Sequence, residues 1–530
     1  MITPTKSATE FIQAIAEAKN QSRQAVANPC HVSELTSLPS FVYEKLRNIV
    51  DYKDEHLLRK NAIRRFLKRK FVLPQLSRQP ETAARSLVRE LILSRYLPND
   101  SLPETIIPEL GQVLTKYYAL WEELEKRGCA VPRWREYTVG LAAVECDARL
   151  VALGERHAYL LFAYRLIKQT INLADGLESE ETKSVQLMLA IQRTMERADR
   201  DIINMYLLRH YYPAWFTLPP AEAALDLGPQ YDTILKTFTQ VGNHKLGRHL
   251  QPLVKRLLVP LIIFRDMLRY DQTAWELIKN PVALERAAHE TYEHFWQATR
   301  RRILRKGFHA MAYIFVTKML LAVLLELPYE KFVIGAISYL PLTINLAFPA
   351  LLMAVITLLI KSPGQANEAR AVLGIKEMIY GGQADFFQPR KFRTSRHGFW
   401  KRFIYALLYI VTMGASLGAV VLVLWQLGFN PLSGTMFILF MSLVSFFGLA
   451  LRQQARQLKV LSSRETMLGF LVDFFTLPVL SFGKWLATTF DRVNVFVFLL
   501  DFMFEVPFKS LLKAIEEWFA FLKEKKEEMY

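Results

Sequence analysis

At 530 residues the chain is longer than one hydrophobic core usually organises, which argues against a single globule and for two or three structural units. Hydrophobic residues make up 52% of it and concentrate after residue 307; the net charge of +17 divides as 45 Lys+Arg against 35 Asp+Glu up to that point and 22 against 15 beyond it. On a chain with apolar spans such an excess speaks for orientation and anionic headgroups before nucleic acid, and three scattered cysteines, Cys30, Cys129 and Cys146, fit reduced thiols rather than a disulfide framework.

In chain order, residues 1–40 read as a flexible N-terminal segment. Met1–Asn20 carries Glu10, Glu17 and Lys19 and lacks an apolar core of signal-peptide length. Residues 41–307 repeat apolar positions at three-and-four spacing with no convincing alternating run, so a cytosolic, all-α domain is expected. Its helices are predicted from about Phe41 to Phe71 with an interruption near Asp51, then Glu81 to Tyr96, Pro103 to Arg127, Arg133 to Leu173, Ser179 to Tyr211 and Gln230 to Asp271. A last helix runs from Pro281 into the membrane. Breaks fall at Pro98–Pro103, Gly128–Pro132, Asp175-Gly176 and Pro213–Pro220.

The densest charge lies at Arg59–Lys70, seven basic residues among twelve with no acid. Arg64, Arg65, Lys68 and Arg69 are the candidate patch for anionic lipid, against a solvated helix face as the plainer alternative. Only Phe66 and Phe71 offer aromatic partners, which disfavours nucleic acid. His289 and His294, like His244 and His249, stand five residues apart, about 140° around a helix. That spacing does not make a two-ligand zinc face, and no metal site is expected. The acids Glu122, Glu123, Glu125, Glu180 and Glu181 read as surface or cap charges.

Four apolar spans follow, in two hairpins. The first hairpin, residues 308–360, pairs Phe308 to Leu327 with Pro341 to Ile360; the second, residues 403–451, pairs Phe403 to Leu427 with Thr435 to Leu451. Arg300, Arg301, Arg302, Arg305 and Lys306 precede the first span. The segment 361–402 holds nine basic residues against three acids, and Arg452, Arg456, Lys459 and Arg464 follow the fourth span, whereas Gly428–Gly434 carries no charge. Charge therefore assigns both termini and the 361–402 loop to the cytoplasmic side of an integral membrane protein, in a plasma or inner membrane.

Within the spans, Gly414-Ala-Ser-Leu-Gly418 matches both a serine-hydrolase elbow and a helix-packing motif. The elbow needs a strand-turn-helix setting and a histidine, and none follows His397, so Gly414 and Gly418 are assigned to packing. Lys318 would cost on the order of 3 kcal/mol in the bilayer unless it faces a partner or water. It pairs with a carboxylate or lines a polar path in one reading and snorkels in the other. Residues 452–530 contain a duplicated F-L-x-D-F unit, Phe470–Phe474 and Phe498–Phe502, each followed by P-x-x-S-x-x-K. These units are expected to be interfacial or re-entrant on the cytoplasmic side, with Asp473 and Asp501 as candidate polar residues or headgroup-level anchors.

No nucleotide-binding loop, dinucleotide fingerprint or H-E-x-x-H occurs, and neither catalytic residues nor a cofactor are assigned. The expected function is a membrane-anchored scaffold or interaction protein. Its partners would be the lipid bilayer and its anionic headgroups, with a protein partner of the cytosolic domain or a homo-oligomer. An oligomeric channel or transport-related protein is the alternative, and an interfacial lipid-handling enzyme the second.

Overall fold

The computed structural model describes residues 3–23, 28–32, 55–72, 79–151, 154–173, 179–270, 274–360, 364–382, 386–387, 390–392, 399–455, 458–460 and 481–485. The F-L-x-D-F units, with Asp473 and Asp501, lie outside those residues. Among the described residues the chain is helical apart from two three-residue strands, Ile171–Leu173 (β1) and Arg390–Phe392 (β2), which pair in parallel with Ile171 opposite Arg390. The chain divides into two compact units. One is built on Thr5–Val254 and takes in β2, and the other on Lys255–Gln388 with the described residues from 399 onward.

The first unit contains α1 (Lys6–Arg23), α2 (Glu55–Val72), α3 (Pro80–Leu93), α4 (Ile106–Arg127), α5 (Trp134–Leu150), α6 (Gly154–Thr170), α7 (Glu180–Met195), α8 (Arg200–Tyr211), α9 (Pro220–Leu227) and α10 (Tyr231–Gly242), with α11 (Lys245–Leu257) spanning the division. Within residues 1–40, expected to be flexible, Lys6–Arg23 forms a helix, α1. Ala8, Phe11, Ile12, Ile15 and Ala18 fall on one helical face and are buried, and Phe11 stacks on Phe162 of α6 at 4.3 Å between centroids.

Sequence punctuation ends some helices as expected. α4 stops at Gly128 in the left-handed conformation (φ 61°), where the Gly128 and Cys129 amides donate to Glu125 and Leu124 in a Schellman arrangement. Other breaks have no such signal. The predicted helix over Arg133–Leu173 divides at Val151, which is extended, and the one over Ser179–Tyr211 divides before Arg200. At the second break Arg197 takes φ 48° without being glycine. Long-range contacts hold it, Arg156 pairing with Glu196 and the Glu196 carbonyl lying 3.0 Å from His56 Nε2, and locally Asp199 caps α8 by accepting from the Ile202 amide.

Those contacts also engage the basic strip of α2. Lys60 is buried and pairs with Asp199 and, at 2.9 Å, with Asp201. Arg59 donates to Asp147 at 2.6 Å, Arg64 lies 3.2 Å from Asp201, and Arg69 donates to Glu90 at 2.6 Å. Arg65 is half-buried and Lys68 exposed. Acids from three other helices thus meet a segment that has none of its own. All three cysteines are free, and the Cys129 thiol is pushed up to about 11 by burial and by its hydrogen bond to Asp232.

The second unit contains α12 (Val259–Tyr270), α13 (Ala274–Lys279), α14 (Pro281–Leu321), α15 (Tyr339–Leu358), α16 (Gln365–Tyr380), α17 (Phe399–Gln426) and α18 (Pro431–Ala455). Among the described residues, four helices are long and apolar enough to cross a membrane: the continuous stretch Pro281–Ile334, α15, Ala406–Gln426 within α17, and α18. Among the described residues, the large apolar side chains left exposed in the first unit are Leu161 and Leu225. The rest lie at Val282 and beyond, densely from Phe308 to Leu427. An apolar surface of that extent is suited to lipid. Between the hairpins, α16 packs on the start of α14 through Lys376–Glu285 at 2.8 Å and His289–Glu368 at 2.7 Å.

Candidate functional site

The polar chemistry of the apolar helices gathers at one place, built on α14 and its continuation. Asn280 caps α14 by accepting from the Val282 and Ala283 amides, and the helix runs unbroken to Leu321. Pro328 has no amide hydrogen to give to the preceding turn, and its ring crowds the carbonyl four residues back. The backbone around it widens into two π-helical turns, Ala322–Glu326 and Glu330–Ile334, before ending at Gly335 with φ 82°. In a regular α-helix a residue eight positions on is displaced by about 80° around the axis. The wider turn takes up that offset and returns Glu326 to the side of Lys318.

Lys318 Nζ donates to Glu326 Oε1 at 2.8 Å, with neither side chain exposed. Asn345 of α15 donates through Nδ2 to Glu326 Oε2 at 2.8 Å and to the Ser433 carbonyl at 3.2 Å, while Ser433 Oγ lies 3.4 Å from the same carboxylate oxygen. Lys318 Nζ also stands 4.9 Å from the Phe440 ring centroid, a cation–π contact. Glu330, one turn on, is buried as well. It accepts from the Ser338 amide at 3.0 Å and from Asn430 Nδ2 at 2.8 Å, and Asn430 Oδ1 in turn accepts from the Ser433 amide. The N-terminal ends of α15 and α18 therefore converge on one carboxylate, where their partial positive charge is favourable.

Two buried carboxylates thus accompany one ammonium, Glu326 paired with Lys318 and Glu330 held by the Ser338 amide and Asn430, and Asn345 Oδ1 is buried with no hydrogen-bond partner among the described residues. Counted along the helix from Lys306, Lys318 is about 18 Å and Glu326 about 30 Å into the apolar stretch, so the cluster occupies the half far from the basic segments. Its chemistry is that of an interhelical lock with one acceptor to spare.

Lys318 is thus paired and enclosed; a snorkelling side chain is not what forms. Asn345 bonds between helices, to Glu326 and to the Ser433 carbonyl. Glu326, Glu330, Asn430 and Ser433 were not anticipated, because Glu326 sits at the end of an apolar run at a spacing that does not share an α-helical face with Lys318. The signal available was Pro328, a helix-distorting residue next to an acid inside a span.

Gly414 and Gly418 lie inside the uninterrupted helix α17, so no nucleophile elbow forms there. Among the described residues nothing stands within 4 Å of a side chain added at either. Close packing falls to other glycines: a Cβ at Gly307 would overlap Thr357, and one at Gly448 would lie 2.8 Å from Ile356. Gly307→Leu and Gly448→Leu are each expected to lower stability in detergent by about 1–3 kcal/mol through overpacking. Gly414→Leu is expected to stay within about 0.5 kcal/mol, and equal losses in a thermal-unfolding series would refute the assignment.

No group of three or more potential metal ligands occurs among the described residues. Of the two histidine pairs, His289 faces Glu368, and His249 Nδ1 lies 2.8 Å from the Lys245 carbonyl. Compared with protein-family models, with curated proteins and with solved structures, the chain matches none.

Proposed function

We propose that the protein is a membrane-anchored interaction protein, with the unit built on Thr5–Val254 displayed in the cytoplasm and the two hairpins serving as a rigid anchor. The observation that carries this reading is the enclosure of the charges within and at the end of the first hairpin's spans: Lys318, Glu326 and Glu330 are taken up by partners within the chain, which suits a lock better than an open path. The proposed topology, with both ends cytoplasmic, draws on the charge distribution and on two contacts. β2, between the hairpins, pairs with β1 of the helical unit, and Glu330 of one short connection bonds Asn430 of the other. The duplicated F-L-x-D-F units are proposed to lie along the cytoplasmic leaflet.

A transport-related role in an oligomer is the second reading, favoured by the unpartnered Asn345 Oδ1 and the surplus carboxylate. Proteoliposomes separate the two. An anchor leaves ion and proton flux at the level of empty vesicles for the wild-type protein and for Lys318→Leu alike, while cross-linking in intact membranes joins residues 5–254 to a stoichiometric protein partner. Flux above background that Lys318→Leu abolishes would overturn the anchor in favour of transport.

A further inference from the structure

Most of the basic strip of α2 is occupied by acids of the same chain. In α2 the cations meet acids: Arg59 with Asp147, Lys60 and Arg64 with Asp201, Arg69 with Glu90. On α14 the situation is reversed. Arg300, Arg301, Arg302 and Arg305 are exposed and have no acidic partner among the described residues, whereas Ile303 between them is buried against the bundle. These four guanidinium groups lie one to two turns before the exposed apolar surface begins.

The pattern along the helix is continuous. Positions 301, 304, 305, 308, 315, 316 and 319 recur at three-and-four spacing, so they form one stripe. Arg301 and Arg305 head it, and Leu304, Phe308, Phe315, Val316 and Met319 continue it with exposed side chains. From Arg305 to Phe315 is about 15 Å along the axis, half of the roughly 30 Å hydrocarbon layer. Cations at one end and one leaflet's depth of apolar surface at the other match a phospholipid: phosphate on the arginines, acyl chain along the stripe. Arginine suits the phosphate because its planar fork gives two donors to two oxygens. Lys306 donates to Gln454 at 3.5 Å, and that contact sets exposed Arg452 at the same end of the bundle.

We infer that Arg301, Arg302 and Arg305, with the stripe running from Leu304 to Met319, form a binding site for an anionic phospholipid. The site rests on the apolar helices lying in a bilayer, and it is independent of whether the helical unit has a protein partner. It holds lipid at the headgroup level and orients the entry of the first span.

The experiment uses the full-length protein, first floated with phosphatidylcholine vesicles and then titrated in detergent with phosphatidylglycerol, phosphatidylcholine or inorganic phosphate while native mass spectrometry counts bound lipid. The wild-type protein is expected to float, and to bind phosphatidylglycerol at least tenfold more tightly than phosphatidylcholine. In Arg301→Gln/Arg302→Gln/Arg305→Gln, phosphatidylglycerol binding is expected to weaken on the order of tenfold to a hundredfold, three charges each contributing at an anionic surface. Phe308→Ala should weaken it by a smaller factor with the arginines intact. Because these residues are exposed, the variants are expected to keep the wild-type melting temperature. Equal binding of the two lipids, or unchanged binding in the triple variant, overturns the site while leaving the membrane reading standing. Full competition by millimolar phosphate reduces it to an anion site and overturns the lipid assignment. Failure to float overturns both.

Discussion

Lys318→Met in the full-length protein is expected to destabilise the membrane bundle by about 3–5 kcal/mol, the penalty for leaving a buried carboxylate without its counter-ion. Glu326 would keep only Asn345 Nδ2 and the distant Ser433 hydroxyl, and its side chain is fully enclosed by the protein, so solvent does not replace the ammonium. Glu326→Gln alone strands the ammonium and is expected to lose a similar amount. The double variant, in which both charges are gone, should recover most of the loss, because a buried pair replaced as a pair is close to neutral. Unfolding in detergent for the four proteins of this cycle gives the coupling energy directly. Additive single losses would mean that the two groups do not interact, and the enclosed cluster would then fail as the bundle's lock.

In the helical unit, Glu145→Ala is expected to have an effect of similar size, also about 3–5 kcal/mol. Glu145 is buried and accepts three hydrogen bonds: from Lys116 Nζ at 2.6 Å, from the Tyr117 hydroxyl at 2.9 Å and from Trp215 Nε1 at 3.2 Å. Burial, together with the neighbouring Glu145 charge, holds the Tyr117 phenol well above its ordinary range and favours its protonated, donating form. Removing the carboxylate leaves a buried ammonium and two buried donors unsatisfied, each with its own desolvation penalty. Hydrogen exchange should rise across α4 and α5 while exchange in α14 and α18 stays unchanged. Lys116→Met in the Glu145→Ala background should restore part of the stability, since the stranded charge is the largest single term. Retention of wild-type protection in Glu145→Ala would show that the network is marginal to the core.

Both networks show where reading along the chain stops. The helical class, four apolar helices of spanning length and the stop at Gly128 follow from local properties: apolar spacing, run length and the left-handed conformation glycine accepts. These need no knowledge of neighbours. The break before Arg200 does need it. Nothing in Glu196–Asp199 forbids a helix, and the chain turns there because Arg156, His56 and Lys60, from distant positions, engage Glu196 and Asp199. In the same way α2 reads as an unrelieved cationic strip until Asp147, Asp199, Asp201 and Glu90 are brought to it.

The membrane half divides along the same line. Run length and the basic residues between runs are written in the sequence, because burial in hydrocarbon and the orientation bias act on each segment separately. The tertiary structure decided what Lys318 faces. Its partner lies eight residues on, out of phase in a regular helix, and reaches it only because Pro328 widens the intervening turn and α15 and α18 supply Asn345 and Ser433 to complete the shell. Spacing rules assume one helical period, and a side chain's environment is set by three helices at once. An isolated lysine in an apolar run is therefore visible from sequence, whereas the enclosed cluster around it is a property of the packed bundle.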